Sequence, residues 1–507
     1  MTRIQCRVHL RLFLILCGLA WSVHAQNLDS LVACSLDFSR QQLLRTVAEL
    51  QISAVYGDSI YPRSTMRLEG LWKPMREGHW ASGYLPGCLW QMFEWTSDSV
   101  WRGWAKQWTA GVLKEQYRTG DHEAGFILTS SVGNGYRLTG DTAYKSVLLQ
   151  GAQSLAARYN AAVGCVRSWN NYHFPVIIDG MNALQLLWWS AHNGGDPTFY
   201  DLAVSHSLKT MTNNVRADGS CYQIVDYNPS TGAILDRTNK QGYSKSSTWS
   251  RGQAWAIYGF TVAYRETRDE RFLQTAQKAA DYFMNNLPAD YVPYWDFQAP
   301  NIPSEERDAS AAAIAASGLL ELSTIVAWSG SGQKYRDAAC HILASLCSPA
   351  YRAVGTNSRG ILLHGVGNRM NESRDAGEVD VSLIYADYYF IEALLRYKKV
   401  IKSTVAVNRS PGIVLSTIDL FQNYPNPFNG KTILSYELAM DGEADLSIYS
   451  VLGEKVRTLK NGLHVKGRHT LTWDGNDESG NPVSSGVYYY QLNASKSAIT
   501  KRMLLVK

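Results

Sequence analysis

The stretch Tyr264-Arg-Glu-Thr-Arg-Asp-Glu-Arg-Phe272, followed by Leu273-Gln-Thr-Ala-Gln-Lys-Ala-Ala-Asp-Tyr282, sets the pattern of most of this chain. A polar turn with an aspartate precedes an aromatic residue and an alanine-rich segment with apolar residues at helical spacing. Similar stretches occur at Tyr136–Tyr144 and Asn193–Tyr200. Because an aspartate can accept hydrogen bonds from the first amides of a helix, each stretch is interpreted as the start of the second helix of a hairpin.

The spacing of these helix starts, near residues 141, 196 and 269, indicates repeating units of roughly fifty-five to seventy-five residues. About six such hairpins would fill residues 26–402, which predicts a mainly α domain with the architecture of an (α/α)6 toroid. An open helical solenoid built from the same hairpins is the alternative architecture.

The last part of the chain has a strand-like pattern of apolar and polar residues in place of the helical one. Residues 403–417 are interpreted as a linker, and residues 418–507 contain period-2 runs at Thr432–Leu438, Ala444–Tyr449 and Gly486–Leu492. Glycine-rich turns separate these runs, so the segment is predicted to be a small all-β, immunoglobulin-like sandwich. The loop Asp474–Gly480 has some features of a cation-binding loop, but such strings are usually plain turns.

The N-terminus has the features of a secretory signal peptide over residues 1–25. Three arginines precede the apolar run Leu12–Trp21, and Val23–Ala25 offers a small-residue cleavage site. The run is too short to span a bilayer, so no transmembrane segment is expected. Loss of the three arginines lowers the formal charge from +5 to +2. The near-neutral remainder argues against a nucleic-acid partner, and no metal-ligand spacing or cofactor motif is present, so no metal or cofactor is expected.

The stretch Gln241-Gly-Tyr-Ser-Lys-Ser-Ser-Thr-Trp-Ser-Arg-Gly-Gln-Ala-Trp255 is the strongest functional signal. Tryptophans offer flat apolar faces, the guanidinium of Arg251 matches a carboxylate, and amides and hydroxyls pair with alcohols. These groups suit an acidic sugar, and Arg251 could also lower the pKa of a neighbouring acid. The alternative is a loop that leads into a helix in which Trp249 and Trp255 simply pack.

Two further segments contain candidate acids. In Gly120-Asp-His-Glu-Ala-Gly-Phe126, Asp121 is placed to cap the next helix and Glu123 then lies in its first turn, which could be its whole role. Asp179 directly follows a buried-looking run, so desolvation is expected to raise its pKa and allow proton transfer near neutrality. A plain helix cap is the alternative for Asp179.

Residues 30–400 resemble the unsaturated glucuronyl hydrolases of glycoside hydrolase family 88. The resemblance lies in His122–Phe126, Ser168-Trp169, Val176–Asn182, Asp218–Ser220, Gln241-Gly242, Ser247–Trp255 and Asp387–Phe390. It implies an (α/α)6 barrel that removes a 4,5-unsaturated uronic acid from the non-reducing end of lyase-generated oligosaccharides. It further implies that Asp179 is the acid/base in hydration of the vinyl ether, with Glu123 as the second acid. The implied substrate-binding residues are His122, Phe126, Trp169, Gln223, Gln241, Trp249, Arg251 and Trp255.

Two positions depart from the family pattern. Glu123 stands where the family has an aspartate, and Gln223 stands where it usually has a histidine. These changes bear on substrate preference and activity, and they leave two alternatives: an unsaturated rhamnogalacturonyl hydrolase, or a catalytically inactive glycan-binding protein on the same fold. An N-acylhexosamine epimerase would want histidine bases, whereas the matched regions emphasise carboxylates and tryptophans. The segment Leu362–Asn368 is a further candidate for lining the next sugar subsite.

The tail from about residue 418 resembles the C-terminal sorting domain of type IX secretion substrates. The resemblance lies in Gln422-Asn-Tyr-Pro-Asn-Pro-Phe-Asn429, Trp473-Asp-Gly475, Ser485-Gly-Val-Tyr488 and the basic end Lys501-Arg502. It implies a partnership with the type IX machinery, export through the periplasm, and a secreted or outer-surface location. A carbohydrate-binding module is the alternative, although Trp473 is the only tryptophan it could use.

Overall fold

The computed structural model describes residues 28–51, 60–326, 332–369, 378–408, 418–438, 441–494 and 497–506. The predicted signal peptide and residues 409–417 of the predicted linker lie outside these ranges. The chain divides into two compact units, Met1–Ile401 and Lys402–Lys507, and each is described by itself. Across the described ranges, no helix is both long and apolar enough to cross a membrane.

The first unit is helical, with short strands in the loops between helices. Its first helix, α1, covers residues 28–51. The remaining helices within the described ranges are α2 Tyr84–Thr96, α3 Ser99–Val112, α4 Ala124–Leu128, α5 Asn134–Thr139, α6 Thr142–Ala156, α7 Gly180–Ala183, α8 Gln185–His192, α9 Thr198–Asn213, α10 Ser250–Thr267, α11 Glu270–Asn285, α12 Ala309–Ile325, α13 Gly332–Leu346 and α14 Ile384–Asn408. A π-helical segment, Thr129–Gly133, lies between α4 and α5.

The helices form an inner and an outer layer that alternate along the chain. Inner helices such as α10 and α12 are buried on almost every side: Ala309 to Leu320 of α12 are all buried. Outer helices such as α11 have one apolar stripe, in which Phe272, Ala276 and Phe283 recur at helical spacing. Each inner helix packs on the outer helix beside it, as α10 does on α11 and α12 does on α13. The predicted hairpins are therefore confirmed.

The ring of inner helices is closed by contacts between α2 and α14. The ring centroid of Tyr84 lies 5.2 Å from that of Tyr388 and 6.0 Å from that of Tyr389. Gly87 permits this approach, because a Cβ there would lie 2.5 Å from Cε2 of Tyr388. An open solenoid would leave its first and last inner helices apart. The architecture is therefore the predicted (α/α)6 toroid.

Aspartates begin several outer helices, as the sequence pattern predicts. Asp98, Asp141 and Asp269 accept hydrogen bonds from the backbone amides of Val100, Ala143 and Arg271, at 2.9, 3.0 and 2.9 Å. Asp196 accepts from the Thr198 amide at 2.9 Å, ahead of α9. These caps satisfy amides that have no partner inside the helix.

Short strands in the first unit lie in the loops between helices. Their bounds are β1 Tyr61–Thr65, β2 Trp72–Met75, β3 Tyr159–Asn160, β4 Cys165–Val166, β5 Pro175–Ile177, β6 Ile224–Tyr227, β7 Ile234–Thr238, β8 Gly365–Asn368 and β9 Glu378–Val381. Strands β5, β6 and β7 form a three-stranded antiparallel sheet. Strand β8 pairs with β9.

The second unit is an all-β sandwich. Its strands are β10 Ile418–Leu420, β11 Thr432–Leu438, β12 Gly442–Tyr449, β13 Lys455–His464, β14 Gly467–Trp473, β15 Gly486–Ala494 and β16 Ser497–Leu505. One sheet has the order β10-β11-β14 and the other the order β13-β12-β15-β16. The alternating runs identified in the sequence correspond to β11, β12 and β15, since inward apolar residues alternate with outward polar ones.

Trp473 lies in the core of this sandwich. It is 0 % exposed and its indole N–H donates to the Asn476 carbonyl at 2.8 Å. A fully buried ring offers no face to a sugar, which argues against the carbohydrate-binding alternative. In the adjacent loop, Asp477 accepts from the amides of Ser479 and Asn481, as in a plain turn. Helix α14 also continues to Asn408, six residues into the predicted linker.

Candidate active site

Three predicted site residues stand immediately before inner helices. Glu123 precedes α4, Asp179 precedes α7 and Trp249 precedes α10. The His122 amide donates to the Ser168 carbonyl at 3.1 Å, and the Ile178 amide donates to the Gln223 carbonyl at 2.9 Å. The charge of Arg251, two residues after Trp249, acts on Asp179, and the charge of Asp179 acts on Glu123, so the three loops lie close together. The candidate site therefore lies at the end of the toroid where these helices begin.

Asp179 is a partly buried carboxyl without the contacts of a helix cap. Its side chain makes no capping hydrogen bond to α7. Its Oδ2 is fully buried and has no hydrogen-bond partner among the described residues. Burial raises the pKa of Asp179 from 3.8 to about 7, against the opposing effects of a backbone hydrogen bond and the positive charge of Arg251. The cap alternative is therefore wrong, because the geometry of a cap is absent.

Glu123 is the second acid of the site. Burial and the negative charge of Asp121 raise the pKa of Glu123 to about 7. Arg118, 3.2 Å from its carboxylate, and a hydrogen bond with Trp169 act in the opposite direction. The charge of Asp179 makes a smaller contribution to the rise, which places the two acids near each other.

Arg118 organises the loop that contains Glu123. It binds Asp121 through two hydrogen bonds of 2.6 and 2.5 Å and also donates to the Gly78 carbonyl at 2.6 Å. Asp121 in turn accepts from the Glu123 amide at 2.9 Å, while α4 begins one residue later, at Ala124. Sequence analysis missed Arg118, although its spacing of three and five residues from these acids is a usable signal.

His122 is buried and uncharged. Burial lowers the pKa of His122 to about 4. Its Nδ1 lies 3.1 Å from the Ser168 carbonyl oxygen, and because a carbonyl only accepts, Nδ1 is the protonated nitrogen. The Nε2 atom is then a hydrogen-bond acceptor. A neutral imidazole with a defined tautomer can accept from a hydroxyl group but does not supply charge.

Aromatic side chains form one wall of the site. The ring centroid of Phe126 lies 5.8 Å from that of His122 and 5.6 Å from that of Trp255. Trp169 is partly exposed, with its centroid 6.3 Å from His122. Trp255 is only 1 % exposed, because Phe126 and Tyr389 cover it. Trp169 thus offers an accessible face, whereas Trp255 supports the wall from behind.

Trp80 belongs to the same wall and was not identified from the sequence. It is partly exposed, and its ring centroid lies 4.8 Å from Tyr385 and 6.3 Å from Phe126. The residue lies in a loop after β2, about forty residues before the first identified motif. A single tryptophan in a loop gives no periodic or spacing signal that would assign it to this wall.

Arg251 is buried, and protein acceptors hold its guanidinium group. Its Nη1 donates to Asp308 at 3.0 Å and to the Val366 carbonyl at 2.5 Å, and its Nη2 donates to the Gly367 carbonyl at 2.6 Å. The guanidinium also lies 4.6 Å from the ring centroid of Trp249, which is 3 % exposed. Arg251 therefore fixes strand β8 beside the site and acts on Asp179 through its charge.

Gln223 and Gln241 are linked to each other and to β8. The Gln223 side-chain amide donates to Oε1 of Gln241 at 2.6 Å, while its own Oε1 accepts from the amides of Lys240 and Gln241 at 2.7 and 3.0 Å. Gln241 donates onward to the Gly367 carbonyl at 3.2 Å. Gln223 thus holds the 240–241 backbone without an ionisable group, and the segment Leu362–Asn368 borders the site through β8.

The fold and these acids define a class of protein: a glycoside hydrolase built on a helical toroid, with two carboxylic acids beside an aromatic wall. The sequence model of Glycosyl Hydrolase Family 88 matches residues 58–292, and that of the FlgD Ig-like domain matches residues 422–498. Together with the relatives that follow, these matches show that the chain belongs to glycosyl hydrolase family 88.

Several known proteins are similar to this chain. An unsaturated glucuronyl hydrolase of Formosa agariphila is 38% identical over 68% of this chain and 86% of its own length. An unsaturated chondroitin disaccharide hydrolase of Streptococcus agalactiae is 31% identical over 70% and 90%, respectively. The crystal structure of an unsaturated glucuronyl hydrolase specific for heparin is 39% identical, with a TM-score of 0.69 over 74% of this chain and 98% of that one.

Proposed function

We propose that the enzyme removes a 4,5-unsaturated uronic acid from the non-reducing end of oligosaccharides that polysaccharide lyases produce. Two similar proteins are named as an unsaturated glucuronyl hydrolase and an unsaturated chondroitin disaccharide hydrolase, and a similar solved structure is a variant of an unsaturated glucuronyl hydrolase complexed with dGlcA-GalNAc6S. The observation that carries the proposal is Asp179: a carboxyl with a buried oxygen that has no partner among the described residues, a pKa of about 7, and a charge that acts on Glu123.

In the proposed mechanism, the Asp179 carboxyl donates its proton to C4 of the substrate and water adds to C5. The water returns a proton to the Asp179 carboxylate, so the acid is regenerated. The hemiketal formed at C5 opens by breaking the bond between C5 and the ring oxygen. The resulting hemiacetal at C1 then releases the remaining glycan. One acid suffices because the alkene is protonated directly, and the spacing rule for two carboxylates in ordinary glycosidases does not apply.

The other site residues would hold the uronate ring. We propose that Trp169 stacks on the sugar, that Nε2 of His122 accepts from a hydroxyl group, and that Glu123 bonds a second hydroxyl. Gln241, held by Gln223, lies beside them. Arg251 and Trp255 would support the site from behind, since Arg251 is held by Asp308, Val366 and Gly367 and Trp255 is covered by Phe126 and Tyr389. Trp249 packs on the Arg251 guanidinium.

The pH profile gives a first test. The proton donor must be protonated, so kcat/KM is expected to fall about tenfold for each pH unit above the pKa of the site. That limb should begin at about pH 7, where both Asp179 and Glu123 lose their protons. The measurement is the loss of the double-bond ultraviolet absorbance of an unsaturated disaccharide. A rate that stays constant well into the alkaline range would contradict the assignment.

A panel of substrates distinguishes the proposed activity from the alternative hydrolase activity and from glycan binding without catalysis. Unsaturated disaccharides from chondroitin, heparin and rhamnogalacturonan are to be compared under identical conditions. Turnover of a glucuronyl disaccharide supports the proposal, whereas turnover of the rhamnogalacturonan product alone identifies the other hydrolase activity. Saturable binding of the disaccharides without any turnover would identify a glycan-binding protein.

We further propose that the enzyme is exported to the cell surface or medium through the type IX machinery. The N-terminal pattern over residues 1–25 and the sorting-domain strings from Gln422 onward support this. In a host with that machinery, the full chain is expected to reach the surface or medium, while a chain ending at residue 417 stays in the periplasm. The truncated chain must keep its activity in lysates, and identical locations for the two chains would contradict the proposal.

A further inference from the structure

A cavity of about 570 Å³ lies at the other end of the toroid from the candidate active site. Its lining includes Arg265 and Glu266, near the end of α10, the helix that begins beside the site. Fifteen residues of α-helix separate Arg265 from Ser250, a distance of about 22 Å at 1.5 Å per residue. Asp179, Glu123, Trp169 and Gln241 are absent from the lining among the described residues. The cavity is therefore separate from the candidate active site.

Two aromatic side chains give this cavity flat apolar faces. Tyr136 and Trp189 both line it, both are partly exposed, and their rings meet edge to face at a centroid distance of 5.3 Å. Gln185 lies on the same helix as Trp189, α8, and its side-chain N–H donates to the Asn182 carbonyl at 3.2 Å. Its Oε1 makes no hydrogen bond within the described residues and remains available as an acceptor. Flat rings beside amide groups match a sugar ring, which is apolar on its faces and polar at its edge.

The charged groups around the cavity neutralise one another. Arg137 forms two hydrogen bonds with Glu94, at 3.0 and 2.5 Å. Arg265 and Arg396 both bind Glu321, each at 2.7 Å. The Arg137–Glu94 pair is exposed and opposes an ionic ligand only weakly. Glu321 is 15 % exposed, so a ligand that drew Arg265 and Arg396 away from it would leave a largely buried charge unpaired, which is costly. An uncharged ligand can instead form hydrogen bonds with these charged groups without displacing their partners. The cavity therefore favours a neutral ligand.

The backbone of the cavity wall is unusual. Thr129 to Gly133 form a π-helical segment, and Thr129, Ser130 and Gly133 line the cavity. Such segments are rare and occur frequently at functional sites. Two aromatic residues of the cavity lining also contact the candidate active site. The rings of Phe126 and Tyr389 lie 5.6 and 5.2 Å, between centroids, from the ring of Trp255. Phe126 is therefore common to the cavity lining and to the aromatic wall of the candidate active site.

We propose that this cavity is a second ligand site, which binds a neutral sugar of one or two rings. Its volume lies within the range of about 300–1,000 Å³ that is usual for small-molecule pockets. The rings of Tyr136 and Trp189 would stack on the sugar, and Gln185 would accept from a hydroxyl group. The proposal does not depend on the proposed hydrolase activity, because it rests on different residues.

Calorimetric titration with N-acetylglucosamine and cellobiose as neutral probes, and with glucuronate and glucosamine as charged probes, tests the proposal. At least one neutral probe is expected to bind saturably and more tightly than both charged probes. Trp189→Ala should weaken that binding about tenfold or more, since it removes a stacking face. Gly133→Met should also weaken it by filling space: Gly133 has φ −61, and a Cβ there would lie no closer than 3.5 Å to its neighbours.

Two control variants make the result decisive. Gly103→Met adds the same side chain to α3, where a Cβ meets nothing within 4 Å, and should leave binding unchanged. Trp169→Ala removes the predicted platform of the active site and should also leave binding unchanged. The proposal is overturned if no neutral probe binds, if a charged probe binds most tightly, or if Trp169→Ala abolishes binding while Gly133→Met does not. Hydrolysis measured in the same preparations reports separately on the proposed function.

Discussion

Asp179→Asn is expected to lower kcat by about 10³-fold or more, because an amide cannot deliver a proton to C4, and positioned acid–base groups contribute about 10²–10⁴-fold. The substrate should still bind, so the loss is expected in kcat rather than in KM. The measurement is the initial rate of double-bond loss with an unsaturated disaccharide. Normal turnover by this variant would show that Asp179 is not the acid.

A matched control for this variant is Asp141→Asn. Asp141 caps α6 on the outer layer, and asparagine is an equally good cap, so both stability and turnover should be unchanged. The same chemical change is then expected to lower turnover at Asp179 and to leave it unchanged at Asp141. A loss of activity in both variants would point to a general effect of the substitution and would remove the argument for Asp179.

The stability of Asp179→Asn offers an independent check. The pKa of Asp179 is about 7 in the folded protein against an ordinary 3.8, so the folded state holds its proton more tightly. The stabilisation from this proton is present below about pH 4 and is lost as the pH rises through about 7. The variant, which does not titrate, should therefore be about 2 kcal/mol more stable than the wild type at alkaline pH, after allowance for partial exposure.

Arg251→Met is expected to destabilise the helical unit by about 3–5 kcal/mol. The substitution leaves the fully buried Asp308 without its partner at 3.0 Å, and an unpaired buried charge is costly. It also removes the positive charge that lowers the pKa of Asp179, so the alkaline limb of the pH profile should move upward. Urea unfolding followed by tryptophan fluorescence measures the first effect, since Trp473 alone among the 16 tryptophans lies beyond residue 401.

Two further variants serve as controls for the loss of stability expected in Arg251→Met. Arg271→Met breaks an exposed pair with Asp269 and should cost less than about 1 kcal/mol. The double variant Arg251→Met with Asp308→Asn removes the unpaired charge but keeps an acceptor for the Ser310 amide, so it should recover part of the loss. A single variant as stable as the wild type would contradict the role assigned to the buried pair.

Both substitutions depend on features that the sequence could only partly indicate. The run before Asp179 predicts a desolvated carboxyl, because apolar residues on one side of an acid lower the local polarity. That Oδ2 lacks a partner, and that α7 receives no cap from this residue, depends on how β5 and α7 are placed in space. Arg251 shows the reverse case: its charge is evident from the sequence, but Asp308, which neutralises it, lies 57 positions away.

The sequence by itself determined the helical layers, the aspartate caps of the outer helices and the alternating strands of the tail, because periodicity and capping are local properties. It placed Asp179 at the start of a helix, whereas Glu123, predicted to lie in the first turn of its helix, precedes α4 because that helix begins only at Ala124. The closed ring, the raised pKa of Glu123 and the cavity at the far end of the toroid were decided only by the tertiary structure. Ring closure, desolvation and charge–charge effects depend on distances between residues far apart in the chain, which a linear pattern does not contain.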